Sequence, residues 1–200
     1  MKKVIKHSKK GFLMVTLFAT LLSFANDASK FKITFEAKRT PLTLYNIKKG
    51  NVLSIKDENG LLLYKELLQQ SGIYSKGFDL TSLPNGTYMF ELEKDFEIKL
   101  IPFYVKSNTV TFQKKLEETI FKPAFRVEGD MVYMSKLNLN RKPLKINFYF
   151  LDGNHSELMY SKTLKNQQLI EKAFKLEGLS LGTYKIEVIS ADHTFEKHIY

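Results

Sequence analysis

A 15-residue stretch of the chain occurs twice, and this internal repeat constrains the fold more than any other feature. The first copy spans residues 78–92 and the second spans residues 174–188, with a constant offset of 96 residues and no gap. Phenylalanine, leucine and the triplet Gly-Thr-Tyr recur at matching positions, and Tyr64 and Tyr160 keep the same offset. A repeat with so long a period indicates two copies of one domain in series.

Each copy combines the end of a strand, a tight turn and the start of a new strand. Gly86 and Gly182 stand in the turns, and we expect Asn85 or Gly86 to adopt a positive φ there. Tyr88 and Tyr184 follow two residues after the glycines. In the tyrosine corner of Greek-key sandwiches, a tyrosine at this place packs its ring in the core and bonds the upstream backbone through its hydroxyl. We therefore predict that these two glycines and two tyrosines are structural corner residues and not ligand-binding residues.

Short strand patterns, separated by turn signals, fill the rest of the chain. They predict strands at residues 31–37, 52–57, 61–67, 74–80, 87–93, 96–105, 110–114, 120–127, 131–137, 144–151, 158–163, 169–176, 183–190 and 194–200. Pro102 predicts an edge position or a bulge in its strand. Residues 112–120 fit a short amphipathic helix or strand and loop, and we favour strand and loop because a sandwich leaves a helix nowhere to pack. The predicted fold is all-β, with two tandem immunoglobulin-like antiparallel β-sandwich domains.

The N-terminal 25 residues have the three parts of a secretory signal peptide. Residues 1–10 carry five lysines and no acid, residues 12–22 are an apolar run, and Ser23-Phe24-Ala25 ends in small residues. We predict cleavage between Ala25 and Asn26, which lowers the formal net charge from +10 to +5. The apolar run is about half as long as a membrane span, and no comparable run recurs, so we expect no transmembrane span in the mature chain.

These signals predict a signal peptide at residues 1–25, a first sandwich at 26–106 and a second sandwich at 107–200. The mature protein is expected in the periplasm, at the cell surface or in the medium. The chain contains no cysteine, so burial of apolar side chains must stabilise both sandwiches without disulfides. A modest positive charge on an exported protein argues against nucleic acid as a partner.

With its hairpins and repeated stretch, the chain resembles the C-terminal sorting domains (Por secretion tails) of type IX secretion cargo and related small secreted sandwiches. The shared pattern is a strand, an acidic-Gly hairpin such as residues 55–60 or 150–153, and a segment like residues 78–88. The resemblance implies an immunoglobulin-like sandwich that has no catalytic residues and is recognised by outer-membrane export machinery. Sorting domains usually follow a large enzyme or adhesin, so a free-standing relative at the periplasm or cell surface fits the pattern as well.

No pattern in the sequence indicates catalytic, cofactor-binding or metal-binding residues. His193 and His198 are five residues apart on the final strand, which places them on opposite faces, and no carboxylate cluster accompanies them. Neither a Gly-x-Ser-x-Gly motif nor a cysteine nucleophile is present. Asp57 and Asp152 lie in hairpin turns, where aspartate is favoured for its own backbone hydrogen bonds. We expect no cofactor, and a small hydrolase is the least favoured function.

The sequence favours a non-enzymatic exported protein with a structural, adhesive or secretion-associated role at the cell envelope. Exposed sheet edges would let it pair with another envelope or secreted protein. The alternative is a glycan-binding module of the cell surface, with a stacking platform built from Tyr45, Tyr74, Tyr133 or Tyr149. The absence of tryptophan, the largest stacking side chain, counts against this alternative.

Overall fold

The computed structural model describes residues 31–33, 39–177, 182–190 and 193–200, and only the backbone of residues 31–33. Strands dominate these ranges, with two short 3-10 turns and no α-helix among them. No helix in the described ranges is long and apolar enough to cross a membrane. The predicted signal peptide with Ala25 and Asn26, the last part of the first predicted strand and residues 178–181 lie outside the described residues.

The strands are, in chain order, β1 (Phe31–Ile33), β2 (Thr40–Ile47), β3 (Val52–Asp57), β4 (Leu62–Leu67), β5 (Gly72–Phe78), β6 (Gly86–Glu93), β7 (Glu97–Lys106), β8 (Thr109–Phe112), β9 (Glu118–Phe121), β10 (Ala124–Glu128), β11 (Met131–Leu137), β12 (Leu144–Asp152), β13 (His155–Leu164), β14 (Leu169–Lys175), β15 (Thr183–Ser190) and β16 (His193–Ile199). The 3-10 turns are Leu80–Ser82 and Lys114–Leu116.

Strands β1 to β9 form the first sandwich from two antiparallel sheets. The small sheet has the order β1-β2-β5, and the large sheet has the order β4-β3-β6-β7-β8 with β9 also paired to β7. Alternate residues of each strand point between the sheets, as the period of two requires. They form one core, which consists of Leu42, Leu44, Ile47, Leu53, Ile55, Leu68, Phe78, Leu80, Tyr88, Phe90, Leu92, Ile101, Phe103, Val105 and Val110.

Strands β10 to β16 form the second sandwich with the same strand order. Its small sheet is β10-β11-β14, and its large sheet is β13-β12-β15-β16. Each strand therefore has a counterpart in the first sandwich, for example β4 and β13, β5 and β14, or β6 and β15. The core consists of Val132, Met134, Leu144, Ile146, Phe148, Leu164, Ile170, Leu176, Tyr184, Ile186, Val188 and Ile199. The prediction of two tandem immunoglobulin-like sandwiches is confirmed.

One strand, β2, escapes the alternation pattern of the sequence. Leu42 and Leu44 are buried as a strand pattern requires. Pro41 precedes them, and Asn46 adopts a φ of 55°. The pairing of β2 with β5 also loses its register between Leu44 and Ile47. These irregularities interrupt the period of two, so the sequence does not predict this strand.

The region after β7 continues the large sheet of the first sandwich. Strand β8 pairs with residues 103–106 of β7, and β9 pairs with residues 97–100. The preference for strand and loop over a helix at residues 112–120 is confirmed, with one 3-10 turn between the strands. The strand predicted at 120–127 is divided into β9 and β10. The domain boundary at residues 106 and 107 stays a prediction, and the pairing of β8 and β9 favours a boundary near Pro123.

Pro102 lies inside β7, and the predicted edge position or bulge is wrong. Strand β7 has β6 on one side and β8 and β9 on the other, and its pairing with β6 shows no register shift at Pro102. The carbonyl of Pro102 accepts a hydrogen bond from the Gln113 amide at 2.9 Å. Because the N and the C=O of one strand residue point to the same side, the missing N–H faces the gap between β8 and β9. No hydrogen bond to β6 is lost.

Candidate functional site

The four predicted corner residues lie at the start of β6 or directly before and within the start of β15. Tyr88 is buried, and its hydroxyl donates to the Pro84 carbonyl at 2.8 Å. Tyr184 is buried to the same degree, and its hydroxyl donates to the Glu177 carbonyl at 2.6 Å. Burial raises the pKa of the Tyr88 hydroxyl, with smaller contributions from the acids of the nearby hairpin. Both rings pack in a core, and Tyr184 also lines a surface hollow together with Tyr160 and Glu177.

The expected positive φ is absent at Asn85 and Gly86, and the two corner glycines differ in how closely they are packed. A Cβ atom on Gly86 would lie 3.7 Å from the Tyr88 ring, an ordinary contact. A Cβ atom on Gly182 would lie 2.6 Å from the Leu151 carbonyl oxygen. The expectation of a positive φ is therefore wrong, and at Gly182 the close approach of a neighbouring strand explains the glycine instead.

Strands β4 and β13 each form one edge of a large sheet with no further strand beyond them among the described residues, and both carry exposed apolar side chains. All residues of β13 except Leu164 are exposed. Leu158 and Met159 are each 53% exposed. In β4 the leucines at positions 62, 63 and 67 are exposed in the same way. Exposed apolar edge strands are the sheet feature that most readily pairs with another chain.

A bulge occurs at the same place in both edge strands. The pairing of β4 with β3 skips Leu63, and the pairing of β13 with β12 skips Met159, which is 96 residues later. A bulge at a sheet edge redirects a side chain and increases the local twist. Both repeats thus present an apolar side chain from their free edge.

We use the term seam for the open side of each sandwich, where β4 faces β5 or β13 faces β14. In the first sandwich, a polar network closes the seam. The Glu66 carboxylate accepts hydrogen bonds from Tyr64, from Tyr74 at 2.8 Å and from Lys76 at 3.0 Å. The Tyr64 ring packs edge-on against Phe78 at 5.3 Å.

The ionisation of the first seam follows from these contacts. The hydrogen bond from Tyr64 lowers the pKa of Glu66, and those from Tyr74 and Lys76 add to this effect, while partial burial opposes it. Burial and the bond to Glu66 raise the pKa of Tyr74, and the bonds to Tyr64 and Glu66 raise the pKa of Lys76. The network therefore holds one negative and one positive charge next to each other at neutral pH.

The seam of the second sandwich has the same aromatic residues but a different charge. Tyr160 packs against Phe174 at 5.7 Å, as Tyr64 packs against Phe78. Lys162 stands at the position equivalent to Glu66, and Lys172 at the position equivalent to Lys76. Within the described residues, neither lysine has a hydrogen bond or an ion pair.

The four tyrosines of the predicted stacking platform do not come together. Tyr45 and Tyr74 lie on opposite faces of one small sheet, because Tyr74 pairs with Leu44. Tyr133 lies on the outer face of the other small sheet, with the Arg126 guanidinium 4.3 Å from its ring centroid. Tyr149 lies on the outer face of the second large sheet, under the Lys185 ammonium at 4.8 Å.

Tyr133 and Tyr149 each belong to a polar surface. A groove of about 640 Å³ lies beside Tyr133 and is lined by Arg126, Ser135, Glu171 and Lys172 among others. Around Tyr149, Glu187 binds Lys185 at 2.7 Å, and this bond lowers the pKa of Glu187 and raises that of Lys185. The groove beside Tyr133 has the dimensions of a site for a small polar ligand.

A third cluster lies between the sandwiches, where the β16 strand contacts the outer face of the first large sheet. Phe195 packs against an apolar patch of Ile98, Leu100 and Ile120. His193 Nε2 lies 3.5 Å from Glu91, and both ring nitrogens lack a hydrogen-bond partner in the described residues.

The charged groups at this junction are perturbed. Burial alone would raise the pKa of Glu91, but His193 and Lys56 together lower it, with Lys56 at 2.6 Å. Lys136 is buried, donates to the Phe121 carbonyl and lies 5.2 Å from the Phe195 ring centroid. Burial lowers the pKa of Lys136 to about 8. This cluster forms a contact between the two sandwiches.

The described residues show no arrangement typical of catalysis. Among them, no group of three or more His, Asp or Glu side chains is placed to hold a metal ion. His198 is exposed beside Tyr200, far along β16 from His193, and His155 begins β13. Asp57 accepts backbone hydrogen bonds from Asn59 and Leu61 at 2.9 and 2.8 Å, which is the turn role that the sequence predicts.

Two features of the structure have no counterpart in the sequence analysis. The seam network joins residues from β4 and β5, and the junction joins residues from β6, β11 and β16, so neither forms a local motif. The sequence indicates the seam in one way, because the repeat offset of 96 residues aligns Glu66 with Lys162.

No protein-family model matches the chain, and no curated protein matches it. Among solved structures, the chain is similar to the FN1–FN3 domains of chicken CNTN1, with 11% identity and a TM-score of 0.26 over 85% of this chain and 66% of that one. It is also similar to a structure of the receptor tyrosine kinase Torso, with 11% identity and a TM-score of 0.23 over 86% of this chain and 72% of that one. Scores this low carry no argument about function, so the immunoglobulin-like assignment stands on the strand order.

Proposed function

We propose that the chain is an exported, non-enzymatic module of the cell envelope that binds another protein by adding a strand to β13. The observation that supports this most strongly is the length and exposure of β13. Ten residues form this edge strand, and only Leu164 is buried. Strand addition uses main-chain hydrogen bonds for affinity and alternate side chains for specificity.

Export and envelope location are part of the proposal. The signal-peptide pattern at residues 1–25 and the resemblance to type IX sorting domains support them. N-terminal sequencing of the protein from fractionated cells tests this part. We expect the mature chain to begin at Asn26 and to occur in the periplasm, on the surface or in the medium. An intact Met1 in the cytoplasm would contradict it.

Strand addition is tested by site-specific photo-crosslinking in the cells that produce the protein. A photoreactive amino acid at Leu158 samples the β13 edge, and one at Leu116 samples an equally exposed apolar residue in a 3-10 turn. We expect a discrete adduct from position 158 and none from position 116. Equal labelling at both positions, together with a monomer in light scattering, would contradict strand addition.

A glycan-binding module is the second candidate, and the groove beside Tyr133 is the observation that favours it. Tyrosine, arginine and glutamate offer stacking and hydrogen bonds to sugar hydroxyls. A glycan array with the mature protein distinguishes the two functions. Binding that is lost in Tyr133→Ala and retained in Leu158→Lys would favour the groove over the edge.

A further inference from the structure

We propose that the seam of the second sandwich binds an extended peptide whose acidic side chain takes the place that Glu66 occupies in the first sandwich. The inference depends on the proposed strand addition at β13 and specifies the chemistry of the added strand. It derives from a comparison of the same four positions in the two repeats.

In the first sandwich, the charged groups of the seam, Glu66 and Lys76, neutralise each other. Glu66 accepts from Tyr74 and Lys76 at 2.8 and 3.0 Å, and the Lys76 ammonium also lies 2.6 Å from the Tyr64 hydroxyl. The same ammonium lies 5.1 Å from the Tyr64 ring centroid. One carboxylate therefore accepts from all three donors of this network in the described part of the chain.

In the second sandwich, the carboxylate of this network is replaced by a lysine. Lys162 pairs with Ile146 on β12, as Glu66 pairs with Leu53 on β3. Lys172 pairs with Met134 on β11, as Lys76 pairs with Leu42 on β2. Since directly opposed residues share a face, both lysines lie on faces turned toward the other sheet. Two cations thus stand where the first sandwich has one cation and one anion.

The tyrosine equivalent to Tyr74 is also lost, because Ile170 stands there and is buried. Lys162 and Lys172 have no ion pair or hydrogen bond among the described residues, and Tyr160, two residues before Lys162 on β13, is 38% exposed. A carboxylate at this place would neutralise both ammonium groups and accept from the Tyr160 hydroxyl.

The apolar part of the seam fits the neighbours of such a carboxylate. A hollow of about 370 Å³ opens beside Tyr160, and its described lining includes Phe148, Met159, Phe174, Leu176 and Tyr184, together with the charged residues Lys175 and Glu177. In a strand that pairs with β13, residues at alternate positions point into the seam. An acidic residue and an apolar residue two positions away would therefore enter the seam together.

A peptide fits this site better than an acidic glycan because the free edge of β13 runs along the seam. Its unpaired backbone groups provide hydrogen bonds in the direction that an added strand requires. A glycan would use the charges but not the edge.

Binding of matched peptides to the mature full-length chain tests the proposal. The probe is a short fluorescent peptide of alternating valine and threonine with a central glutamate, and the control peptide has glutamine in its place. Fluorescence anisotropy at low ionic strength should show about tenfold tighter binding of the glutamate peptide, the ratio that a charge-assisted hydrogen bond provides. The preference should decrease with added salt.

The variant Lys162→Gln/Lys172→Gln should bind both peptides equally. The control variant Lys65→Gln/Lys106→Gln removes two exposed lysines from the first sandwich and should keep the preference. Circular dichroism of each variant establishes that it is folded before binding is compared.

The remaining outcomes distinguish a failure of the acidic-partner proposal from a failure of strand addition itself. Equal binding of both peptides to the native protein, with β13 amides protected from exchange, would overturn the acidic partner and leave strand addition in place. No binding of either peptide would overturn both proposals. Binding of an oligomeric uronate that depends on Lys162, without binding of the peptides, would identify an acidic glycan as the ligand and overturn the peptide.

Discussion

The two sandwiches share one strand order and one corner but differ in how their open sides are closed. In the first, β8 and β9 cover one edge of the large sheet, the β16 strand covers part of its outer face, and a carboxylate closes the seam. In the second, the described residues place no strand beyond β16, and Lys162 stands at the seam position that Glu66 has in the first.

This difference separates the requirements of folding from those of binding. Several positions that match at an offset of 96 residues belong to the core and the corner, which any sandwich of this kind needs. Glu66 and Lys162 are one pair of positions that differ, and they lie at the seam. A duplicated domain can thus keep core residues and change the charge at its open side.

The corners provide the largest expected effect. Tyr88→Ala and Tyr184→Ala each remove a buried ring and its hydrogen bond, and each should reduce the free energy of unfolding by about 3–5 kcal/mol. The milder Tyr→Phe changes remove only the hydroxyl and should cost about 1 kcal/mol. Denaturant unfolding checks both series. An unchanged midpoint for either alanine variant would show that the two corners are not equivalent.

The corner glycines should respond unequally to the same change. Gly182→Ala puts a Cβ within 2.6 Å of the Leu151 carbonyl oxygen and should cost about 1–3 kcal/mol. Gly86→Ala meets only an ordinary contact at 3.7 Å with the Tyr88 ring and should change stability by less than about 0.5 kcal/mol. Thermal unfolding of the two variants measures the contrast. Equal costs would contradict the packing explanation.

Exchanging the charges of the seams tests the comparison from both directions. Glu66→Lys removes the shared acceptor of the first seam and should cost about 1–2 kcal/mol. Lys162→Glu places a carboxylate opposite Lys172 and should stabilise the second sandwich by up to about 1 kcal/mol, since the pair is solvent-exposed. Denaturant unfolding gives both values, and the gain should vanish in high salt. A loss of stability in Lys162→Glu would show that the seams are not equivalent.

The last prediction concerns pH and the junction. Burial lowers the pKa of Lys136 from an ordinary value of 10.5 to about 8. The unfolded chain therefore binds more protons than the folded chain between these values, and this group makes stability increase with pH across that range. The free energy of unfolding of the native protein, minus that of Lys136→Met, should increase between pH 8 and 10.5. Parallel melting curves over this range would contradict the prediction.

The sequence was sufficient for the fold because the repeat joins glycine, tyrosine and alternating apolar residues in one register. It was insufficient for β2, where Asn46 interrupts the alternation after Leu44. It was also insufficient for the path of β8 and β9, because a strand pattern does not specify its partner. Pro102 was misinterpreted for the same reason, since only the pairing shows that its missing N–H faces a gap.

The candidate site could be predicted less well than the fold. The seam and the junction depend on side chains that are distant in the chain and come together only through strand pairing. His193 is an example, because no residue near it in sequence indicates a contact with Glu91. Aligning the repeats would have exposed the exchange of Glu66 for Lys162, but its meaning requires knowledge of which strands face each other.

Amide hydrogen exchange on the mature protein, with and without the glutamate peptide, tests the central claim most directly. The claim is that one fold occurs twice and that only the second copy leaves its seam for a partner. We predict that the peptide slows exchange along β13 and the facing part of β14 while β4 and β5 stay unchanged. Equal protection of β4 and β13, or protection of β4 alone, would contradict the account.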